Sequence, residues 1–252
     1  MEKHSTSEPS PLSPTLWPPE AFAWQRSLLA LLIVLAAFGA GLIAGSLVAV
    51  HAGVTPADAR NERLSWGILV GQLASYALIV PTLIVMLPWL ARRSLRQLGL
   101  GPLDGRGLRI ALLGAVAMYA VTIGISSIQF AITHQKPSEA ATTLFTSTHD
   151  PALTIAFGVL AVVIAPFVEE LEFRGFLFNA VLRSAPVWVA ATISGIVFGF
   201  SHGSITAFLP LSASGVVLAY VYYKSGSLSA SMLTHAVFNG INVVLLAIGV
   251  SA

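Results

Sequence analysis

The chain contains no cysteine, which excludes disulfides, thiolate metal sites and cysteine nucleophiles at the outset. Charge is also scarce. Asp, Glu, Lys and Arg make up 10% of the residues, against about 25% in a soluble domain. With 56% hydrophobic residues and a mean hydropathy of +0.82, that shortfall indicates an all-α polytopic membrane helical bundle. No internal repeat of the kind that builds many transporters is evident. The net charge of +2 comes from arginines scattered over connections. They read as topology determinants, so nucleic acid is not an expected partner.

Residues 1–26 are polar and rich in Pro and Ser, and read as a disordered tail. Apolar runs predict spans near 27–50, 66–91, 108–132, 152–172, 187–202, 205–223 and 228–250. The segment 173–184 either lengthens the fourth helix or forms a short one, giving seven to eight transmembrane helices. The first run is too long for a signal-peptide core and lacks a small-x-small cleavage site, so it is expected to be retained. The 91–109 connection carries Arg92, Arg93, Arg96, Arg106 and Arg109, whereas 133–150 carries only Lys136. The positive-inside rule then puts the Arg-rich connection and the N-terminus in the cytoplasm. The Lys-poor, Ala-, Gly- and Arg-rich composition points to a bacterial inner membrane. Residues 27–150 confine charge to connections and read as a three-helix scaffold, while 151–252 admit ionisable residues into the spans and read as the working part.

The run Glu169-Glu170-Leu171-Glu172-Phe173-Arg174 places three carboxylates and a guanidinium in otherwise apolar sequence. Ionised groups in hydrocarbon cost several kcal/mol, about 2.5–3.5 for Asp at a helix centre on insertion scales. They persist where they are paired, hydrated or used. Glu170 and Arg174 are four residues apart, acid first, and can pair on one helix face. Glu169 lies about 100° round the helix and points elsewhere. The competing reading is a plain intrahelical salt bridge at the membrane surface, but Pro166 and the apolar 152–168 run place the cluster at a helix irregularity inside a span.

Two more motifs follow, Phe198-x-x-x-His202 and His235-x-x-x-Asn239. A lone His on an apolar helix is more often structural, and a His/Asn face is often helix–helix glue in membranes. Reversal of the chain near Ser184–Pro186 would bring Glu169 and His202 to one depth. Glu169, His202, His235 and Asn239 together could activate water and steady an oxyanion, a peptide-hydrolase set without a Ser or Cys nucleophile. Two His and one Glu (Glu169, His202, His235) could equally bind zinc, although the His-Glu-x-x-His motif is absent.

These three motifs, in this order, resemble the CPBP family of CAAX proteases and bacteriocin-processing enzymes, also called Abi. The resemblance covers about residues 150–245 and extends to Phe173-Arg174-Gly175 and to the small-residue turn Ser225-Gly226-Ser227. It implies a conical or cleft-like polar cavity in the C-terminal half. It further implies Glu169 as general base, His202 as its partner, and His235 and Asn239 as oxyanion donors, with Glu170, Arg174 and Phe198 in support. The implied activity is intramembrane endopeptidase, without a cofactor in the version favoured here and with zinc as the alternative. The expected partners are the bilayer and a peptide, lipidated or membrane-anchored protein substrate. Glu172, an extra acid at a variable position of the motif, receives no role. The rival functions are a non-catalytic immunity or adaptor protein with the same fold, and a proton-coupled transporter.

Overall fold

The computed structural model describes residues 24–249 except 61, 62, 93, 138 and 139. Most of the tail expected at 1–26 therefore lies outside the described residues. Seven long helices follow in order, with no strand among the described residues. They are α1 (Trp24–His51), α2 (Trp66–Ala91), α3 (Gly105–Thr133), α4 (Pro151–Leu182), α5 (Val187–Ser201), α6 (Phe208–Ser225) and α7 (Leu228–Ala247). Five of them, α1 to α4 and α7, are long and apolar enough to cross a membrane. Helix α5 has 15 residues, fewer than the roughly 20 that a span needs. The segment 173–182 lengthens α4 instead of standing alone, so that α4 runs for 32 residues.

The helices are apolar on their outer faces. Leu32, Leu35, Val116, Ile132, Ile155 and Val244 are all exposed, as hydrocarbon-facing side chains are in a membrane protein. Inside, close contact depends on small residues, the usual device where lipid removes the hydrophobic drive for helices to associate. Helix α1 lies on α2 at Gly45 and Gly71, where a Cβ on Gly45 would overlap the Ser75 hydroxyl and the Gly71 carbonyl. Ser75 Oγ donates to the Gly41 carbonyl across that seam at 2.9 Å.

Helix α4 is not uniform. Two stretches of wide, π-type turns, Leu160–Ile164 and Leu171–Phe178, flank the α-helical Ala165–Glu170. Pro166 accounts for the first. It lacks an N–H, and its ring would crowd the carbonyl four residues back in a regular helix. Ala165 N–H instead reaches Leu160, five residues back. Asn179 supports the second, its Nδ2 donating to the Arg174 carbonyl at 2.7 Å and the Gly175 carbonyl at 3.1 Å. Ser194 Oγ of α5 donates to the Phe173 carbonyl at 3.2 Å. Wide turns of this kind recur at functional sites.

The connections gather at two ends. Leu98 and Gly99 of the Arg-rich connection meet α6 and the α6–α7 turn: Tyr222 Oη donates to the Leu98 carbonyl at 3.4 Å and Ser227 Oγ to the Gly99 carbonyl at 3.1 Å. At the opposite end Leu64 N–H donates to Ser147 Oγ at 2.8 Å, joining the 52–65 and 134–150 connections. The cysteine-free chain makes this arrangement easy to test. Single Arg96→Cys and Thr148→Cys variants should react with an impermeant maleimide from opposite faces of sealed vesicles.

Candidate active site

Glu170 is the centre of the polar cluster. Its side chain is fully buried, and its two oxygens accept from three side chains on two helices. Arg174 Nη1 donates to Oε1 at 2.9 Å, His235 Nδ1 to Oε1 at 3.0 Å, and Ser231 Oγ to Oε2 at 2.6 Å. A carboxylate with this many donors is held in its ionised form, and such charge-assisted bonds are the strong ones. Arg174, also fully buried, uses Nη2 to reach the Gly215 carbonyl of α6 at 2.8 Å. Its guanidinium lies over the Phe198 ring, 4.8 Å from the centroid, in cation–π geometry. The expected Glu170–Arg174 pair is therefore present, and two donors from α7 extend it.

Glu169 points away from that pair, as its angular position on the helix predicts. Its Oε2 is buried, has no hydrogen-bond partner and stands 3.8 Å from His235 Nε2. That separation exceeds hydrogen-bond length and leaves the acid oxygen and the ring nitrogen facing each other. His235 thus stands between the two glutamates, with Nδ1 on Glu170 and Nε2 toward Glu169.

His202 sits at the C-terminal end of α5. Its Nδ1 lies 2.8 Å from the Phe198 carbonyl. A carbonyl can only accept, so the proton is on Nδ1 and a neutral His202 carries its lone pair on Nε2. The Phe198 ring joins the parts of the site. Its centroid lies 4.7 Å from that of His202, 5.7 Å from that of His235 and 5.2 Å from that of Phe173. Phe173 and Phe198 are equidistant from the same chain reversal as Glu169 and His202, and their contact bears out the antiparallel hairpin.

Asn239 is turned toward α4, where Nδ2 donates to the Ala161 carbonyl at 2.8 Å. The reason lies in the first wide turn. Ala165 N–H is taken by Leu160, and the next main-chain position, Pro166, has no N–H to give. Asn239 supplies the missing donor with one of its two amide hydrogens. Glu172 is half-buried and shares electrostatic contact with Glu169, and Tyr76 of α2 feels both acids. Among the described residues, no three His, Asp or Glu side chains form a group that could hold a metal ion. Beside the cluster, a groove of about 380 Å³ lies between α4 and α7. Its lining is apolar: Val162, Val163, Ile164, Pro166, Phe167, Met232, Leu233 and Ala236.

Residues 151–241 match the family described as type II CAAX prenyl endopeptidase Rce1-like. A Bacillus subtilis protein, "Putative membrane peptidase YdiL", is 24% identical over 87 residues, covering 34% of this chain and 36% of its own. An uncharacterized protein of Mycoplasma capricolum is 30% identical over 96 residues, covering 36% of this chain and 28% of its own. This C-terminal region is thus similar to the CPBP family. The chain spans about a third of the length of these relatives, and no solved structure matches it. The matched region begins with the first residue of α4 and runs into α7, so it takes in every residue of the cluster.

Ser231 and Asn179 were missed by sequence reasoning. Ser231 lies four residues before His235 and shares its face, the same spacing that singled out Asn239 four residues after it. Asn179 lies five residues after Arg174, and a regular helix would not have put them together.

Two outcomes follow from the packing. Arg174→Met leaves a buried carboxylate without its cation and should destabilise the protein by about 3–5 kcal/mol. The double variant Glu170→Gln/Arg174→Met should recover part of that loss in thermal unfolding in detergent. Asn239→Ala leaves the Ala161 carbonyl without a donor and should cost about 1–3 kcal/mol by the same measurement.

Proposed function

We propose that the protein is an intramembrane endopeptidase that hydrolyses a peptide bond of a membrane-associated or lipidated peptide or protein. The observation that carries this reading is the contrast between adjacent glutamates. Glu170 is saturated with donors, whereas Glu169 keeps a buried oxygen without a partner, facing an imidazole nitrogen. A carboxylate oxygen without a donor has a lone pair available to accept a proton from water.

Glu169 takes a proton from water as the water oxygen adds to the scissile carbonyl carbon and the π pair moves to the carbonyl oxygen. His202, with Nδ1 committed to Phe198, offers Nε2 to orient that water. His235 and the second amide hydrogen of Asn239 steady the oxyanion. Collapse of the intermediate breaks the C–N bond, and the proton held by the site passes to the leaving amine. The apolar groove beside the cluster supports a substrate with an apolar segment. Arg96, Arg106, Arg109, Arg183 and Lys224, exposed at one end of the bundle, support a cytoplasmic N-terminus in a bacterial inner membrane.

Wild type, Glu169→Gln and His202→Ala are compared in detergent on a peptide library. Each substitution should lower cleavage by at least about 100-fold while leaving the melting temperature near that of wild type, and chelator should leave wild-type cleavage intact. Normal cleavage by Glu169→Gln would sink the proposal. Complementation of a deletion phenotype by that variant would favour the non-catalytic partner instead.

A further inference from the structure

We infer that Ser231 is a positioning residue that acts through Glu170 to hold His235 in its Nδ1–H tautomer. The effect on rate rests on the endopeptidase reading, but the tautomer does not. Three observations combine. Ser231 Oγ lies 2.6 Å from Glu170 Oε2 and 3.1 Å from the Leu218 carbonyl. A hydroxyl has one proton, and the closer, charged acceptor takes it. Arg174 and Ser231 then leave Glu170 able only to accept, so the His235 nitrogen 3.0 Å away must be an N–H. Ser231 and His235, one turn apart on α7, grip opposite oxygens of one carboxylate and fix its plane and the imidazole ring together.

The consequence concerns Nε2. With the proton held on Nδ1, a neutral His235 presents a lone pair toward Glu169 and cannot donate to an oxyanion. It becomes a donor only after gaining a proton, and the proton that Glu169 removes from water can pass to it once Glu169 Oε2 and His235 Nε2 close from 3.8 Å to hydrogen-bond distance. As the water O–H breaks and the C–O bond forms, the carbonyl π pair moves to oxygen and the proton passes from Glu169 Oε2 to His235 Nε2. The step balances without a co-reactant. The oxyanion donor is thus created by the step that creates the oxyanion. Without Ser231, the carboxylate can rotate and the ring loses its fixed tautomer.

The test uses the full-length protein in detergent with 15N-labelled histidine, the His235 signals being assigned by their loss in His235→Ala. Wild type is expected to show a protonated Nδ1 and a bare Nε2 at His235. Ser231→Ala, which leaves the Glu170–Arg174 pair intact, is expected to show mixed tautomers. Its kcat is expected to fall about tenfold with KM within about twofold. A proton on Nε2 in resting wild type overturns the inference, as does a Ser231→Ala protein with unchanged tautomer and kcat. The tautomer is read without substrate. A locked Nδ1–H in a protein that cleaves no peptide refutes the endopeptidase reading and supports the tautomer assignment.

Discussion

The structure turns on one buried carboxylate. Glu170 has no contact with solvent, and without partners its charge in an apolar bundle would cost several kcal/mol. Its partners come from two helices: Arg174 from α4 itself, and Ser231 and His235 from α7. Arg174 carries the constraint to a third helix through the Gly215 carbonyl. That contact needs α6 close to the site, and the glycines at the α5–α6 crossing permit it: a Cβ on Gly215 would stand 2.7 Å from the Gly195 Cα. Helices α4, α6 and α7 are therefore placed relative to one another by the requirements of one ion pair. Helix α5 joins them through Phe198, which covers the guanidinium.

A second constraint concerns the backbone. Two wide-turn stretches in α4 change the main-chain bonding pattern, and buried carbonyls need partners. Asn239 serves Ala161, while Asn179 and Ser194 serve the second stretch. On the intervening α-helical Ala165–Glu170 turn, adjacent positions aim Glu169 and Glu170 in different directions. The division between a glutamate saturated with donors and one with an unpartnered oxygen thus arises from helix geometry as well as from residue type.

Much of this was legible in the sequence. Apolar runs located the seven long helices to within a few residues, except that α4 continued to Leu182, because its wide turns keep an apolar stretch helical beyond the charged cluster. The four-residue spacing of Glu170 and Arg174 correctly predicted a pair. The same spacing in His235-x-x-x-Asn239 put both side chains on the α4 side of α7, where His235 Nδ1 meets Glu170 and Asn239 Nδ2 meets the Ala161 carbonyl. Spacing reports which residues share a face, and says nothing of what a neighbouring helix offers at each level. Ser231 escaped notice for that reason, since serine on a membrane helix is ordinary until a carboxylate lies opposite. Pro166 announced an irregularity, but not which carbonyl would be left open.

The cluster draws half of its parts from the last of the seven described helices. A helix made early in synthesis must wait for one made late, and α4 enters the bilayer carrying Glu170 and Arg174 before Ser231, His235 and Asn239 exist. Until α7 arrives, the pair has only itself and local water, and the Ala161 carbonyl is open. The joining of α7 therefore packs the last of these helices and assembles the polar cluster in a single event. A partly made chain holds the acids but not the imidazole between them, so the cluster takes shape only with the late helix in place.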